Sequence, residues 1–318
     1  MAPDLKDLIQ SGNFRQVTPA DATTLLPLYS ECGGPPRFWR SISYLSASSA
    51  NVIGTHLGCM VVLRRKILHG HPMLYFLFPP LGPTPIVKKV LAEYAEVGIS
   101  AKVSDYDIIQ YKLRFHKKDN DEHFYQGADN PPEGKIGKHL RYGLNRLARF
   151  AEEGKIKLVA AQTLTTTELH ACLTCAKKWY VQRKGVRGTE YVIRAFAALP
   201  TKKHAHIVYD NQNNVIALSL TESIGEHAAI IVRLRDYESE LATGLIGGLH
   251  ALDCQVWKDS LLTIGSAVGV TGLEHHKEAL GVSQQCMIYK TIPIKKITIE
   301  EYKEAWPTIT TQPKGLFE

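Results

Sequence analysis

The sequence lacks most of the marks that would place a chain in a membrane, outside the cell, or around a metal. In 318 residues, no apolar run reaches the ~18 needed to span a bilayer. The opening MAPDLKDLIQSG has no apolar block of the kind a secretory signal requires. The six cysteines, Cys32, Cys59, Cys172, Cys175, Cys254 and Cys286, are scattered, so reduced thiols are expected. Cys172 and Cys175 form a single C-x-x-C inside a helical pattern. A zinc site wants a second pair or spaced histidines, whereas His275 and His276 are adjacent and would diverge on a helix, so no metal is expected. There is no residue-level repeat and no low-complexity tract, which sets aside solenoids and biased, unfolded segments. The expectation is a soluble, cytoplasmic protein.

What is present is ordinary globular composition, 44% hydrophobic and 22% charged. The length suits one large domain or two moderate ones. Net charge is +7 and the pI about 9.0, which favours an anionic partner: nucleic acid, a phosphorylated cofactor or an anionic membrane surface.

A helix is expected over Thr18–Tyr29, then a Gly- and Pro-rich loop over Ser30–Arg40. Met60–Leu63 reads as a strand and Arg64-Arg65-Lys66 as a turn. Met73–Phe78 is a strand stopped by Pro79-Pro80-Leu81-Gly82, since proline cannot continue a central strand. Val87–Val97 is an amphipathic helix, and a strand lies within Ala101–Leu113. The polar stretch Lys117–Gly137 reads as a linker or a loop crossing between two halves, so the chain divides into 1–125 and 126–318. A helix over Lys138–Glu153 and a strand over Lys155–Gln162 follow. Thr165 and Glu168 have capping-box spacing for a helix running to Lys184. After another helical stretch, Ile193–Leu199, come strands at Ala205–Tyr209, Val215–Thr221 and Ala228–Leu234, the first two joined by a turn at Asp210–Asn214. The last strand is Cys286–Thr291.

The stretch 229–281 is the one the chain is organised around. A buried strand runs into Arg233, Arg235 and Asp236. Gly244, Gly247 and Gly248 then begin a helix that ends near Lys258. A short strand, Leu261–Ile264, leads into a loop with Gly265, Gly269 and Gly272 and a helix over Leu273–Leu280. A strand running through small residues into a helix N-terminus presents backbone N–H groups and the positive end of a helix dipole, which suits an anion. The alternative is that these glycines only permit close packing.

The second half resembles a GNAT acyltransferase fold. The whole chain, over about residues 15–292, resembles the C-terminal domain family of phosphatidylglycerol lysyltransferases, two tandem GNAT-like halves related in architecture to Fem-type aminoacyltransferases. The resemblance rests on Phe78-Pro79-Pro80-Leu81-Gly82, on the basic helix Lys138–Arg146, and on the order of Arg235, Gly244, Gly265, Gly272 and Lys277. It implies an α/β (α+β) fold in which each half is a mixed, twisted sheet flanked by helices. It also implies an enzyme moving an aminoacyl group from aminoacyl-tRNA, or an acyl group from acyl-CoA, to an amine or hydroxyl acceptor, with no tightly bound cofactor. This sequence departs from the family in having no membrane-spanning region, and Asp236–Glu240 separates the central strand from Gly244.

The residues expected to hold the donor are Arg233, Arg235, Gly244, Gly247, Gly265, Gly269, Gly272 and Lys277; a surface role for Lys277 is the alternative. Proton handling would fall to Asp236, Glu222 or His227, with Glu274 a further candidate; each is otherwise a polar residue at an element's end. Lys138, Arg141, Asn145, Arg146 and Arg149 fall on or near one helix face and suit phosphates, with Leu140, Leu144, Leu147 and Phe150 opposite. Lys178, Trp179 and Lys184 form a second basic and aromatic cluster for nucleic acid, tRNA or DNA, unless Trp179 is core. Two other functions fit the soluble, basic chain: attaching an amino acid or acyl group to a modified DNA base, and non-catalytic nucleic-acid binding. The acceptor and the oligomeric state are not encoded in any motif.

Overall fold

Among the described residues the chain forms twelve strands, most of them on alternating apolar positions between strong turn signals: β1 Arg15–Gln16, β2 Asn51–His56, β3 Cys59–Leu68, β4 His71–Phe76, β5 Ser100–Ser104, β6 His116–Gln126, β7 Ile156–Ala161, β8 Lys203–Asp210, β9 Val215–Ile224, β10 His227–Arg235, β11 Leu261–Thr263 and β12 Gln284–Thr291. The helices that flank them are α1 Leu5–Ser11, α2 Ala22–Cys32, α3 Ile42–Ser46, α4 Thr84–Glu96, α5 Asp105–Tyr111, α6 Gly134–Glu152, α7 Thr166–Arg183, α8 Thr189–Ala198, α9 Leu245–Val256 and α10 Ile299–Ala305. This computed structural model describes residues 4–114, 116–183, 188–265, 275, 277–281 and 283–306.

The strands form one mixed sheet in the order β1-β2-β3-β4-β5-β12-β6-β11-β10-β9-β8-β7. The order is symmetric about its centre. In one wing β4 leads through α4 into a parallel β5; in the other β10 leads through α9 into a parallel β11. The closing strands are exchanged. β6 pairs antiparallel with β11 of the second wing, and β12 pairs antiparallel with β5 of the first. β6 and β12 pair with each other at the centre.

Each wing carries apolar cores on both faces. In the first wing, Val87, Val90, Leu91 and Tyr94 of α4 pack with α1 and α10 on one face. Leu25 and Tyr29 of α2 and Ile42 and Leu45 of α3 cover the other. In the second wing, α7 and α8 lie over one face, and α6 and α9 over the other.

Two expectations are overturned. Arg64-Arg65-Lys66 is not a turn: β3 runs through it, and the turn comes at His69-Gly70, both in positive-φ backbone. Arg64 and Arg65 stay in the strand because their guanidiniums find partners. Arg64 donates to Tyr44 Oη at 3.2 Å, while Arg65 donates to Ser49 O at 2.8 Å and lies 4.8 Å from the Trp306 ring. Nor is the polar stretch from Lys117 a linker. Its first ten residues are most of β6, a central strand. Glu122 and His123, both fully buried there, replace the apolar pattern expected of such a strand. The irregular segment begins only after Gln126.

Candidate functional site

β10 and β11 pair only at Ala228–Leu262 and Ala229–Thr263, while β9 follows β10 on its other side to Arg235, across a bulge between Ile230 and Val232. Among the described residues, β10 has no ladder partner on its β11 side beyond Ala229, which leaves a wedge between the two strands on the side of the α9 start. That start is Gly244, at φ +78°. A side chain at this position would be strained and would meet the Tyr142 ring at 2.9 Å. Arg235 Nη1 donates to Thr243 Oγ1 at 3.2 Å and its guanidinium lies 4.1 Å from the Tyr237 ring centre. From α6, Arg146 donates to Glu240 O and Tyr142 Oη, both at 3.2 Å. Two guanidiniums and two exposed tyrosines thus surround a helix N-terminus.

Beneath this mouth lies a buried polar cluster that the sequence does not announce. Asp253 on α9 is fully buried. Its Oδ1 accepts from His206 Nδ1 at 2.9 Å; its Oδ2 accepts from Ser219 Oγ at 2.6 Å and Arg233 Nη2 at 2.7 Å. These bonds hold its carboxyl at about 2, against the desolvation that would raise it. Arg233 also donates from Nη1 to His250 Nδ1 at 2.9 Å. An imidazole nitrogen that accepts from a guanidinium has no proton, so the ring hydrogen sits on Nε2, 3.7 Å from Cys254 Sγ. His250 and Cys254 line a cavity of about 140 Å³ with Tyr125, Leu140 and Leu280. Burial pushes the Cys254 thiol up to about 12, so it is no ready nucleophile.

The three expected proton handlers do not converge. Asp236 ties α7 to the end of β10: it accepts from Gln182 Nε2 at 2.7 Å, Glu238 N at 2.9 Å and Lys178 Nζ at 3.5 Å, and its carboxyl is lowered despite burial. Glu222, fully buried, caps α3 by accepting from Ser43 N at 3.1 Å and from the Ser43 hydroxyl. Desolvation raises its pKa. Glu222 faces Ala229, seven residues from Asp236 along β10, which at ~3.3 Å per residue is about 23 Å. His227 lies half-buried at the far end of β10, its pKa lowered by burial.

The expected donor residues are also divided. Gly244 and Arg235 meet at the mouth. Gly247 and Gly248 face α6: a Cβ on Gly247 would lie 2.8 Å from His139 O, and one on Gly248 2.6 Å from Gly143. Gly265 packs on Phe38 and offers its carbonyl to Lys277. Lys277 is not a surface residue. Its Nζ donates to Gly265 O at 2.6 Å and Ile264 O at 3.1 Å, and burial brings it down to about 8. Gly269, Gly272, Glu274 and Lys184 lie outside the described residues, as do Leu273 and His276 of the expected Leu273–Leu280 helix.

On α6, Leu140, Leu147 and Phe150 are buried and Lys138, Asn145 and Arg149 exposed. Arg141 binds the loop before its own helix, through Pro132 O and Gly134 O. Arg149 lies near Glu153 and the Phe150 ring. Trp179 packs against the second-wing core beside Lys178. Cys172 and Cys175 lie in that core, their thiols pushed up to about 12.

Sequence reasoning missed Asp253, His206, Ser219, His250 and Glu122. The one available signal was the i, i+3, i+4 set His250, Asp253 and Cys254 within an otherwise apolar helix.

The two wings, each with a strand–helix–parallel strand unit, define a tandem GNAT-like α/β fold. It is the fold of lysylphosphatidylglycerol synthetase C-terminal domains. The chain is similar to L-PGS from Bacillus licheniformis (TM-score 0.63, 14% identity, covering 88% of this chain and 95% of that one). It is similar to the C-terminal domain of a putative lysylphosphatidylglycerol synthetase from Agrobacterium fabrum (0.60, 11%, 86% and 92%). A conserved protein of unknown function from Bacteroides thetaiotaomicron VPI-5482 superposes at 0.68 with 15% identity, covering 88% and 98%. FemX superposes at 0.53 with 9% identity, covering 92% and 99%. No protein-family model and no curated protein sequence matches the chain. Among the described residues, no helix is long and apolar enough to cross a membrane.

Proposed function

We propose that the chain is a transferase that moves an aminoacyl group from aminoacyl-tRNA to an amine or hydroxyl acceptor. The observation that carries this reading is the wedge between β10 and β11, opening onto the α9 N-terminus with Arg235 and Arg146 beside it. The likeness to L-PGS and FemX supports it. In this reading Arg235 and Arg146 hold donor phosphate, and the exposed Lys138, Asn145 and Arg149 extend the contact along α6. The acceptor's lone pair attacks the donor carbonyl carbon. The ester C–O bond breaks, and the acceptor's proton passes to the departing ribose oxygen. The donor ester is already activated, so positioning supplies most of the rate.

Acyl-CoA is the second donor, favoured by the same helix N-terminus. The test is filter binding of labelled aminoacyl-tRNA at two salt concentrations, with acyl-CoA and duplex DNA as competitors. Arg235→Ala is expected to weaken tRNA binding about tenfold, with uncharged tRNA behaving alike. Displacement by acyl-CoA alone moves the donor to a thioester. Displacement by duplex DNA moves the acceptor to a DNA base. Unchanged affinity in both Arg235→Ala and Arg146→Ala refutes the placement of the donor.

A further inference from the structure

The cavity beside α9 lies toward the far end of that helix from the donor mouth. From Gly244 to Cys254 the helix rises about 15 Å at 1.5 Å per residue. The inner walls are buried: Tyr125 from β6, Leu140 from α6, His250, Ala251 and Cys254 from α9, and Leu280. Gln126 and Asn130, both exposed, form its rim, so the way in lies beside the segment that follows β6. That segment is tied to the end of α9 and the turn after it. Gly127 N donates to Ser260 O at 2.9 Å, Ala128 N to Cys254 O at 3.1 Å, and Gln255 Nε2 to Asp129 O at 3.0 Å. The cavity is therefore built into the packing of the second wing, as a preformed ligand site is.

Its size, charge and polarity each restrict what can fill it. A volume of about 140 Å³ is close to the ~150 Å³ of an engineered core cavity that takes up one benzene ring. Among the described residues no lining side chain carries a charge, since His250 is neutral, its Nδ1 accepting from Arg233. A charged molecule would enter without a counter-charge. The His250 Nε2–H lies toward Cys254 Sγ at 3.7 Å, and sulfur is a weak acceptor, so a ligand oxygen would compete well for that proton. Water is a poor filling. Each molecule wants roughly two to four polar partners, and the Leu140, Ala251 and Leu280 side chains offer none. The Tyr125 hydroxyl is taken by Lys277 O at 3.0 Å, which leaves its ring as wall.

We propose that this cavity binds one small uncharged molecule of single-ring size, its oxygen accepting from His250 Nε2 and its apolar body against Leu140, Leu280 and the Tyr125 ring. The site is separate from the donor mouth, and the inference does not rest on the transferase reading.

The experiment titrates the full chain, labelled at its leucine methyl groups for NMR, with four molecules of similar shape: benzyl alcohol, toluene, benzoate and benzylammonium. Saturable binding of benzyl alcohol that shifts the Leu140 and Leu280 signals, about tenfold tighter than toluene, supports the site and its hydrogen bond. Benzoate and benzylammonium should bind about a hundredfold more weakly. Ala251→Leu grows into the cavity and should abolish binding. It should also melt no lower than the parent, because it fills empty space, so lost binding is not lost fold. Ala251→Val, a smaller intrusion, should weaken binding about tenfold. No saturable binding of benzyl alcohol overturns the proposal. So does binding that both Ala251 variants leave intact, or toluene, benzoate or benzylammonium binding as tightly as the alcohol.

Discussion

Asp253 is the residue on which the second wing's polar interior depends. Among the described residues it is the carboxylate that pairs with Arg233, and it orders His206 and Ser219. Replacing it with Asn leaves a buried guanidinium without its counter-charge, an error that costs roughly 3–5 kcal/mol. Urea unfolding of Asp253→Asn at neutral pH should show that loss. The same residue sets an acid limit. Its folded pKa is depressed from 3.8 to about 2. Its contribution is therefore complete above about pH 4 and disappears as pH falls toward 2; the shift corresponds to about 2 kcal/mol. Asp253→Asn should flatten the fall in stability between those pH values, and an unaltered acid limb would show that the charge is not what holds the cluster. None of this was legible in the sequence. His206 and Asp253 are 47 positions apart and only the packing of α9 on β8 brings them together. Lone polar residues in apolar elements give no hint of their partners. Asp236 and Glu222 misled for the converse reason: both sit at conspicuous ends, and both tie elements together.

At the scale of elements, local chemistry was legible and tertiary pairing was not. The Asp210–Asn214 turn forms, with Asp210 Oδ1 accepting from Gln212 N and Asn214 N. The Thr165–Glu168 capping box forms reciprocally. Both signals are contained within five residues. β6 was missed because its polar residues answer to strands and loops distant in sequence: Arg37 Nε approaches Glu122 at 3.7 Å. The glycines of α9 show the same division, since their spacing suggested an anion site but two of them serve the crossing with α6. A Cβ on Gly143 would lie 2.1 Å from Gly248 N. Glycine to alanine in a helix ordinarily gains up to ~1 kcal/mol, but overpacking costs ~1–3 kcal/mol and here the obstacle is backbone. Gly143→Ala should therefore lower the melting temperature and, by pushing α9 away, weaken donor binding at Gly244. A melting temperature equal to or above the parent's would show that the crossing has slack.

For the whole molecule the decisive feature is the exchange of β6 and β12. The division into 1–125 and 126–318 falls at the end of β6, and we propose that the two stretches are duplicated units that do not fold apart. A chain ending at residue 283 loses β12 and, with α10, the Tyr302, Ala305 and Trp306 side chains of the first-wing core. Hydrogen exchange on that truncation should show β2–β4 losing protection, although they lie more than 200 residues before the cut. Protection that persists in β2–β4 would mean that the first wing stands alone. The intact chain should unfold in one transition, with probes in both wings coinciding.

Synthesis runs in one direction, and this topology makes the beginning of the chain wait for its end. When β5 leaves the ribosome, the strand that will lie against it has yet to be translated. For the time needed to make some 180 further residues, at roughly 5–20 per second, the first wing carries an unpaired edge. Lys102, on that waiting strand, is the kind of charge that discourages a stranger from pairing there. A charge that Asp119 pairs with in the finished sheet would then first guard the nascent one.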